Sequence, residues 1–362
     1  MKVIRAILFI INAILALGLL LTTLAGCIVP SRMLLPSVAA YGYLPLLAAN
    51  VVMILVWLLM HRWEFLLSTA VIALRWATLA FFLQFHVPSK APDREEHPYA
   101  FALMSYNVHQ FQGPANRPEQ SDSNAHEFLS LVRRHQPEVL CLQEYAAPKT
   151  VALTDSLMLL GYNHYYGAHT SKNGLPYGTV VFSKLPITYV TRVDSEKLLV
   201  ELLHEGQHFR VCCVHMDSYR FNDSDREEME RLGKWKAESG KWKTENGKMK
   251  GLSTIIGKVK ETILCHEDEW NQHLKAVVTE SSVPIVLAGD LNDIPGSWLY
   301  RQISKELKDT FCEKGNGLSI TYKDFHFRID MVFHSEGFNT LSYKRIKSNL
   351  SDHYPILVTM EL

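Results

Sequence analysis

Eight polar residues follow or interrupt apolar, strand-like segments of the sequence, and their types are those of hydrolytic chemistry. They are Asn107, Glu144, His215, Asp290, Asn292, Asp330, Asp352 and His353. Carboxylate and amide oxygens can hold a hard cation, and a histidine beside a carboxylate can transfer protons near neutral pH. The sequence therefore contains the parts of a hydrolytic site, provided that the fold brings them together.

Each of these residues taken alone also has an ordinary structural explanation. His215 could be a hydrogen-bonded core histidine, Asp330 could pair with Arg328, and Asp352 could cap the turn before Pro355. A functional interpretation therefore depends on the eight residues as a set and on the elements that present them.

The segment that presents Asp290 and Asn292 is the clearest of these elements. Residues 285–289 are apolar and end in glycine, which is typical of a strand buried on both faces. Side chains two residues apart on a strand point to the same side. The sequence thus predicts a carboxylate and a carboxamide at the rim of a sheet.

The neighbouring segments predict an α+β catalytic domain over residues 99–362. Apolar strands are expected at 101–108, 138–144, 178–183, 209–215, 327–333 and 355–360, and helices at 124–135, 150–160 and 264–280. Several strands follow one another without a helix between them, which favours two stacked, mostly antiparallel sheets with helices outside.

Seven short segments in this order resemble the endonuclease/exonuclease/phosphatase superfamily, whose members have a DNase I-like four-layer sandwich. The segments are Ser105–Val108, Leu142–Glu144, Gly178–Ile187, Val214–Asp217, Gly289–Asn292, Arg328–Asp330 and Ser351–His353. The resemblance covers residues 100–362 and is carried by the set, because any one segment alone is weak.

The resemblance implies a metal-dependent phosphoesterase. It implies that Glu144, with Asn107 and Asp352, holds Mg²⁺ or Mn²⁺, ions that prefer oxygen ligands. Asp290 and Asn292 would orient the attacking water and the phosphate. Members of the superfamily differ in their proton-transfer roles.

The two histidines have implied roles as well. His353 would be held by Asp330, and His215 would contact the phosphate or protonate the leaving oxygen. A carboxylate that fixes the tautomer of an imidazole also raises its basicity.

Residues 1–86 carry few charges and predict a membrane domain with about three transmembrane helices, followed by a linker at 87–98. The apolar runs are residues 4–24, 44–60 and 65–85, the last interrupted by Arg75. Lys2, Arg5 and Arg62 favour a cytoplasmic location for the N-terminus and for the connection between the second and third apolar runs. The catalytic domain is then expected on the extracytoplasmic side of an inner membrane.

Leu24–Cys27 resembles a lipoprotein cleavage box, but we favour a helix end, because two further apolar runs follow directly.

The substrate is left open by the sequence. The chain has 37 basic and 37 acidic residues, so bulk charge does not indicate a polyanionic partner. The lysine-rich segment 219–260, with Trp235 and Trp242, could bind a nucleic-acid backbone, lie on an anionic membrane, or be a solvated insertion.

The leading hypothesis is a membrane-anchored enzyme acting on a phosphoester of nucleic acid or of a phospholipid head group. A nuclease, a phospholipase C or sphingomyelinase and an inositol-phosphate phosphatase remain alternatives. A non-catalytic scaffold and a sensor or transport component organised by the helices are further ones. The bilayer is an expected partner through residues 1–86, and no protein partner is implied.

Overall fold

The structure is a computed structural model that describes residues 2–87, 95–148, 150–170, 176–194, 196–221, 225 and 246–362. Most of the predicted linker and much of the lysine-rich segment, including Trp235 and Trp242, lie outside the described residues.

Eleven α-helices, three short 3₁₀- or π-helices (His109–Phe111, Pro118–Gln120 and Trp270–Leu274) and fourteen strands are described in these ranges. The helices are α1 (Lys2–Thr22), α2 (Leu34–Ala40), α3 (Tyr43–Leu59), α4 (Phe65–Leu74), α5 (Trp76–Leu79), α6 (Ser121–His135), α7 (Leu153–Leu159), α8 (Asn246–Glu269), α9 (Lys275–Thr279), α10 (Trp298–Glu306) and α11 (Thr310–Lys314). The strands are β1 (Gln84–Phe85), β2 (Ala100–Asn107), β3 (Val139–Ala146), β4 (His164–Thr170), β5 (Pro176–Ser183), β6 (Ile187–Arg192), β7 (Lys197–His204), β8 (Gln207–His215), β9 (Ile285–Asp290), β10 (Lys308–Asp309), β11 (Asn316–Gly317), β12 (Asp330–His334), β13 (Asn339–Arg345) and β14 (Ile356–Glu361).

Two six-stranded sheets form the body of the catalytic domain. The first sheet has the order β13-β14-β2-β3-β5-β4, and the second has the order β10-β12-β9-β8-β7-β6. In each sheet one central pair is parallel, β2 with β3 and β8 with β9, and the other neighbours are antiparallel. The predicted α+β fold is confirmed, with the refinement that both sheets are mixed.

The layers follow from where the apolar side chains are buried. Alternate residues of the strands of both sheets form a shared core between the two sheets, including Phe101, Val200 and Val358. The outer face of the first sheet packs against α6, and the outer face of the second packs against α10. Helix, sheet, sheet and helix thus make four layers.

The strand directions place the predicted polar residues at one rim. Strands β2, β3, β8 and β9 all run toward this rim: β2 is parallel to β3, β8 is parallel to β9, and Asn107 at the end of β2 contacts Asp290 at the end of β9. Asp290 lies opposite both His215 and Asp330 in the strand register. Strand β14 starts at the same rim, where its Ile356 pairs with Ser105 near the end of β2.

The prediction of about three transmembrane helices is wrong in that form. Helix α1, with 21 residues and a mean hydropathy of 2.5, is long and apolar enough to cross a membrane. The described residues give at most two such spans, and the second counts α2 and α3 as one despite a 70° bend between them. Helix α4 has only 10 residues and ends at Arg75.

Some of the apolar residues in this region pack on the catalytic domain. Phe81 joins the core beneath the second sheet, and its carbonyl accepts a hydrogen bond of 3.0 Å from Arg328. Strand β1 pairs with β11 of the catalytic domain. A hydropathy profile cannot distinguish a surface that packs on protein from one that faces lipid. For this reason the sequence predicted a membrane span at residues 65–85.

Candidate active site

A cavity of about 390 Å³ opens at the polar rim. Five of the eight predicted residues line it, namely Glu144, Asp290, Asn292, Asp352 and His353. The other three lie against these five, as the contacts below describe. Strands from both sheets thus bring the whole predicted set to one place.

Asn107 joins two of the carboxylates. Its amide nitrogen donates to Glu144 Oε1 at 2.9 Å and to Asp290 Oδ2 at 3.0 Å, while its amide oxygen accepts from the His109 backbone N–H at 3.0 Å. The nitrogen, not the oxygen, therefore faces the acidic pair. In this arrangement Asn107 positions the two carboxylates, and direct contact with a cation would require its amide to rotate.

An irregularity in β3 positions the side chain of Glu144. The pairing of β3 with β5 shifts between Leu142 and Tyr145, and Glu144 has a φ of 49°. A left-handed backbone in a residue with a side chain costs about 1–2 kcal/mol, and such strain is characteristic of functional sites. The bulge re-aims the carboxylate toward the cavity.

Asp330 and His353 form a buried pair. His353 Nδ1 donates to Asp330 Oδ2 at 2.8 Å, and its Nε2 lies 3.7 Å from Asp290 Oδ2. Burial alone would lower the pKa of His353, but the carboxylates of Asp330 and Asp290 outweigh it and raise that pKa to about 10. Burial raises the pKa of Asp330, and its partner His353 opposes that change.

His215 stands at the end of β8 between three carboxylates. Its Nε2 lies 3.7 Å from Glu144 Oε1 and 4.0 Å from Asp290 Oδ2, and its Nδ1 lies 3.6 Å from Glu196. Burial opposes protonation, yet these acidic neighbours raise the pKa of His215 to about 9. Without a bound cation, both site histidines are therefore imidazolium ions at neutral pH.

Asn292 and Asp352 complete the set. Asn292 has a φ of 47°, donates from its backbone to Asp290 Oδ1 at 2.9 Å, and donates from its amide to the Met216 carbonyl at 2.9 Å. Asp352 Oδ1 lies 3.4 Å from His109 Nδ1. Arg328 pairs with Asp309 at 2.7 Å, so the ordinary explanation of Asp330 as a partner of Arg328 is wrong.

The donor set fits a hard divalent cation. Four carboxylates meet here, from Glu144, Asp290, Asp330 and Asp352, and Asp330 Oδ1 is buried without a hydrogen-bond partner in the described part of the chain. Ligand atoms of Asp290, Asp330 and His353 all lie within 4.8 Å of one another. Buried carboxylates require compensating charge, and oxygen ligands of this kind suit Mg²⁺ or Mn²⁺.

Several supporting residues escaped the sequence analysis. Thr321 Oγ1 accepts the backbone N–H of Asp330 at 3.0 Å, Ser351 Oγ donates to the Asn107 carbonyl at 2.8 Å, and Glu196 faces His215. Ser351 was within a recognised segment, so its neighbours could have suggested it. Thr321 and Glu196 lie in loops without a pattern, and only the tertiary structure brings them to the site.

The sequence profile of the Endonuclease/Exonuclease/phosphatase family matches residues 104–236 and 267–353. A second profile, of a domain of unknown function, matches residues 5–82. Curated protein sequences give no match.

Several solved structures are similar to this chain at low sequence identity. The human Nocturnin catalytic domain with bound sulfate is 15% identical, with a TM-score of 0.48 over 75% of this chain and 99% of that one. An endonuclease/exonuclease/phosphatase from Beutenbergia cavernae is 16% identical, with a TM-score of 0.46 over 73% of this chain and 72% of that one. An endonuclease/exonuclease/phosphatase from Bacteroides vulgatus is 15% identical, with a TM-score of 0.47 over 73% of this chain and 99% of that one.

The family profile matches more than half of the chain and includes all eight residues of the polar rim. The chain belongs to the Endonuclease/Exonuclease/phosphatase family.

Proposed function

We propose that the protein is a phosphoesterase that hydrolyses phosphodiester or phosphomonoester bonds with the help of Mg²⁺ or Mn²⁺. The observation that carries the proposal is the convergence of four carboxylates and two histidines on one rim, beside a cavity large enough for a substrate. Such a combination of acidic and basic groups is typical of a hydrolytic site.

The two histidines have different roles in this proposal: His353 donates a proton and His215 balances charge. Because their pKa values are raised to about 9 and about 10, both are charged at neutral pH. His353 has its Nδ1 occupied by Asp330, so its Nε2–H is the group available to a phosphate oxygen or the leaving oxygen. His215, between Glu144 and Asp290, offsets their negative charge and keeps them in place.

Asp290 is the group best placed to receive a proton from the attacking water. Its Oδ1 is held by the Asn292 backbone and its Oδ2 by the Asn107 amide, so the carboxylate is fixed in orientation. Fixed orientation of this kind supplies much of the advantage of an enzyme over solution. Asn292 lines the cavity beside it and is in position to orient the phosphate.

The cation would be held by Glu144 with Asp352, the carboxylates that line the cavity together with Asp290. When bound, it neutralises the charge of the phosphate that repels a nucleophile.

We also propose that the chain is anchored in a membrane through its N-terminal segment. Helix α1 has the length and hydropathy for a span, and 15 large apolar side chains of α1, α3 and α4 are more than about one-third exposed to the surroundings, Val3 and Leu59 among them. Large apolar surface of this kind is unusual on a protein surrounded by water. The bilayer is the partner that would cover it.

The first prediction concerns metal-dependent turnover. The purified chain is expected to hydrolyse bis(p-nitrophenyl) phosphate only with added Mg²⁺ or Mn²⁺, and Glu144→Ala or Asp290→Asn should lower kcat/KM at least about 100-fold. The release of p-nitrophenol measures the rate.

Glu306→Gln is the matched control, because Glu306 is exposed on α10 away from the rim. It should keep the wild-type rate. Hydrolysis that continues after all divalent ions are chelated, or in both site variants, would contradict the proposal.

A further inference from the structure

The cavity at the rim has an apolar side that catalysis does not use. Six residues define this apolar wall: Val38, Ile255, Ile256, Val259, Phe325 and Phe327. The cavity is continuous, so the wall and the polar rim face the same space. A substrate whose phosphate reaches Asp290 and His353 would place its other end against the wall.

Three separate elements build the apolar wall. Val38 comes from α2, the isoleucines and Val259 come from α8, and the phenylalanines come from the loop before β12. Tyr41 fixes α2 in place: its hydroxyl donates to Asp293 Oδ1 at 2.8 Å and contacts the Tyr219 hydroxyl, and its ring lies 6.0 Å from that of Phe327. The wall is thus a packed surface and not a chance opening.

Most of the apolar wall lies outside the family profile. Val38 precedes the matched residues, and Ile255, Ile256 and Val259 lie between the matched residues 236 and 267. The family's shared catalytic residues therefore meet a binding surface that the profile does not describe.

We infer that the apolar wall binds the hydrocarbon part of an amphipathic phosphoester, so that the substrate is a lipid-like molecule with its phosphate at the polar rim. This inference rests on the proposed phosphoesterase function and names its substrate class. Apolar surface gains about 25 cal/mol for each Å² removed from water, and four of the six wall residues are aliphatic.

Charge argues against a nucleic acid in the same cavity. Arg220 is the sole lysine or arginine among the described residues that line it, and it is paired with Asp217 at 3.2 Å. Binding of a nucleic-acid strand depends on several basic contacts along the backbone. The described walls of the cavity provide one such residue at most.

The route of such a substrate also agrees with the structure. Helix α2 begins 12 residues after the end of α1, the helix long enough to cross a bilayer. The wall is therefore attached directly to the proposed membrane segment, and a lipid could reach the cavity beside it.

The test compares two diesters with the same reacting phosphorus and leaving group. Methyl p-nitrophenyl phosphate and octyl p-nitrophenyl phosphate, the latter below its critical micelle concentration, are given to the full chain in lipid nanodiscs with Mn²⁺. Each methylene group that the wall removes from water increases affinity about fourfold. The value of kcat/KM for the octyl ester should therefore exceed that for the methyl ester at least about tenfold.

Two variants distinguish binding of the octyl ester by the apolar wall from its partition into the nanodisc. Ile256→Ser and Phe325→Ser should each reduce the octyl-to-methyl ratio at least about threefold, because part of the buried hydrocarbon contact is lost. Leu159→Ser on α7 is the control, since Leu159 is 90% exposed and remote from the cavity, and its ratio should not change. Thermal unfolding checks that each variant is folded.

Four outcomes overturn the inference, and they are distinguishable. If the methyl ester is hydrolysed but the octyl ester is no better, the wall does not bind hydrocarbon and the proposed function stands. The same holds if neither wall variant changes the ratio, or if a single-stranded oligonucleotide is cleaved with higher kcat/KM than the octyl ester. If neither ester is hydrolysed with any divalent ion, the proposed function fails and the inference fails with it.

Discussion

At the scale of single residues, the site is a balance of buried charges. Asp290 is 1% exposed and Asp330 is fully buried, a costly placement for two carboxylates. His215 and His353 supply positive charge, and Asn107 supplies two neutral hydrogen bonds. Asp330 Oδ1 has no hydrogen-bond partner among the described residues, so the charge of this carboxylate depends on its ion pair with His353.

The second prediction concerns the Asp330–His353 pair. Asp330→Asn keeps the shape of the side chain but removes the charge that fixes the His353 tautomer, so kcat should fall about 10²–10⁴-fold with a smaller change in KM. Steady-state kinetics on the chromogenic diester measures both. Asp268→Asn, an exposed carboxylate on α8, should have no effect. A kcat within twofold of wild type would show that His353 needs no such partner.

The third prediction concerns pH and stability in chelator-treated protein. The pKa of His353 is raised from 6.5 to about 10, so its protonated form stabilises the fold. Because the folded value is above the unfolded one, this contribution is complete below pH 6.5 and is lost as the pH rises through about 10.

Thermal unfolding of wild type and His353→Gln checks this sign. The difference in Tm between the two proteins should be largest near pH 6 and smallest above pH 10. A difference that grows with pH would mean that the neutral imidazole, not the imidazolium, is favoured in the fold.

At the scale of elements, the site depends on two parallel strand pairs within otherwise antiparallel sheets. Because β8 and β9 are parallel neighbours, His215 and Asp290 end side by side. The β3 bulge brings Glu144 to them from the other sheet. A fully antiparallel arrangement would place consecutive strand ends at opposite rims.

The fourth prediction concerns Gly289, one residue before Asp290 in β9. A Cβ at this position would lie 1.8 Å from the Val214 carbonyl oxygen of β8, so the strands would have to separate. Gly289→Ala is expected to destabilise the fold by at least about 3 kcal/mol, a fall in Tm of roughly 6–12 °C, and to abolish activity.

The matched control for this glycine is Gly257→Ala. Gly257 lies within α8, and a Cβ there meets no atom within 4 Å. Alanine favours a helix over glycine, so its Tm should be unchanged or slightly higher. An unchanged Tm in Gly289→Ala would mean that β8 and β9 are less closely apposed than described.

At the scale of the whole molecule, the N-terminal helices and the catalytic domain are packed together. The Ser31 backbone N–H and hydroxyl donate to Glu267 at 2.8 and 2.7 Å, and β1 extends the contact through β11. Helices α1, α3 and α4 contact one another, and a buried polar cluster of Asn12, Asn50 and Ser68 joins them. The connection between α1 and α3 therefore lies on the catalytic side, and the connection between α3 and α4 lies at the far end.

The fifth prediction follows from this arrangement and from the proposed membrane anchor. Cys27 is exposed in the first connection, so in sealed membranes a membrane-impermeant maleimide should label it under the conditions in which added protease cleaves the catalytic domain. In a Cys27→Ser background, Lys2→Cys at the exposed start of α1 should react only after detergent is added. Equal labelling of both positions before detergent is added would contradict a bilayer between them.

The sequence by itself determined the fold class and the identity of the polar set. Apolar strands ending in Asn107, His215 and Asp290 are local patterns, and local patterns report which residues stand at strand ends. The ordered segments were also sufficient for the family, which the profile match confirms. The membrane span predicted from hydropathy at residues 65–85 was wrong, because apolar side chains pack against protein as well as against lipid.

Only the tertiary structure decided how these residues meet. The pairing of Asp330 with His353, the orientation of the Asn107 amide and the contacts of Glu196 and Thr321 join residues far apart in the chain. The apolar wall joins α2, α8 and a loop from three distant regions. Such contacts depend on packing between elements, and no local pattern of the sequence encodes the distance between two strand ends.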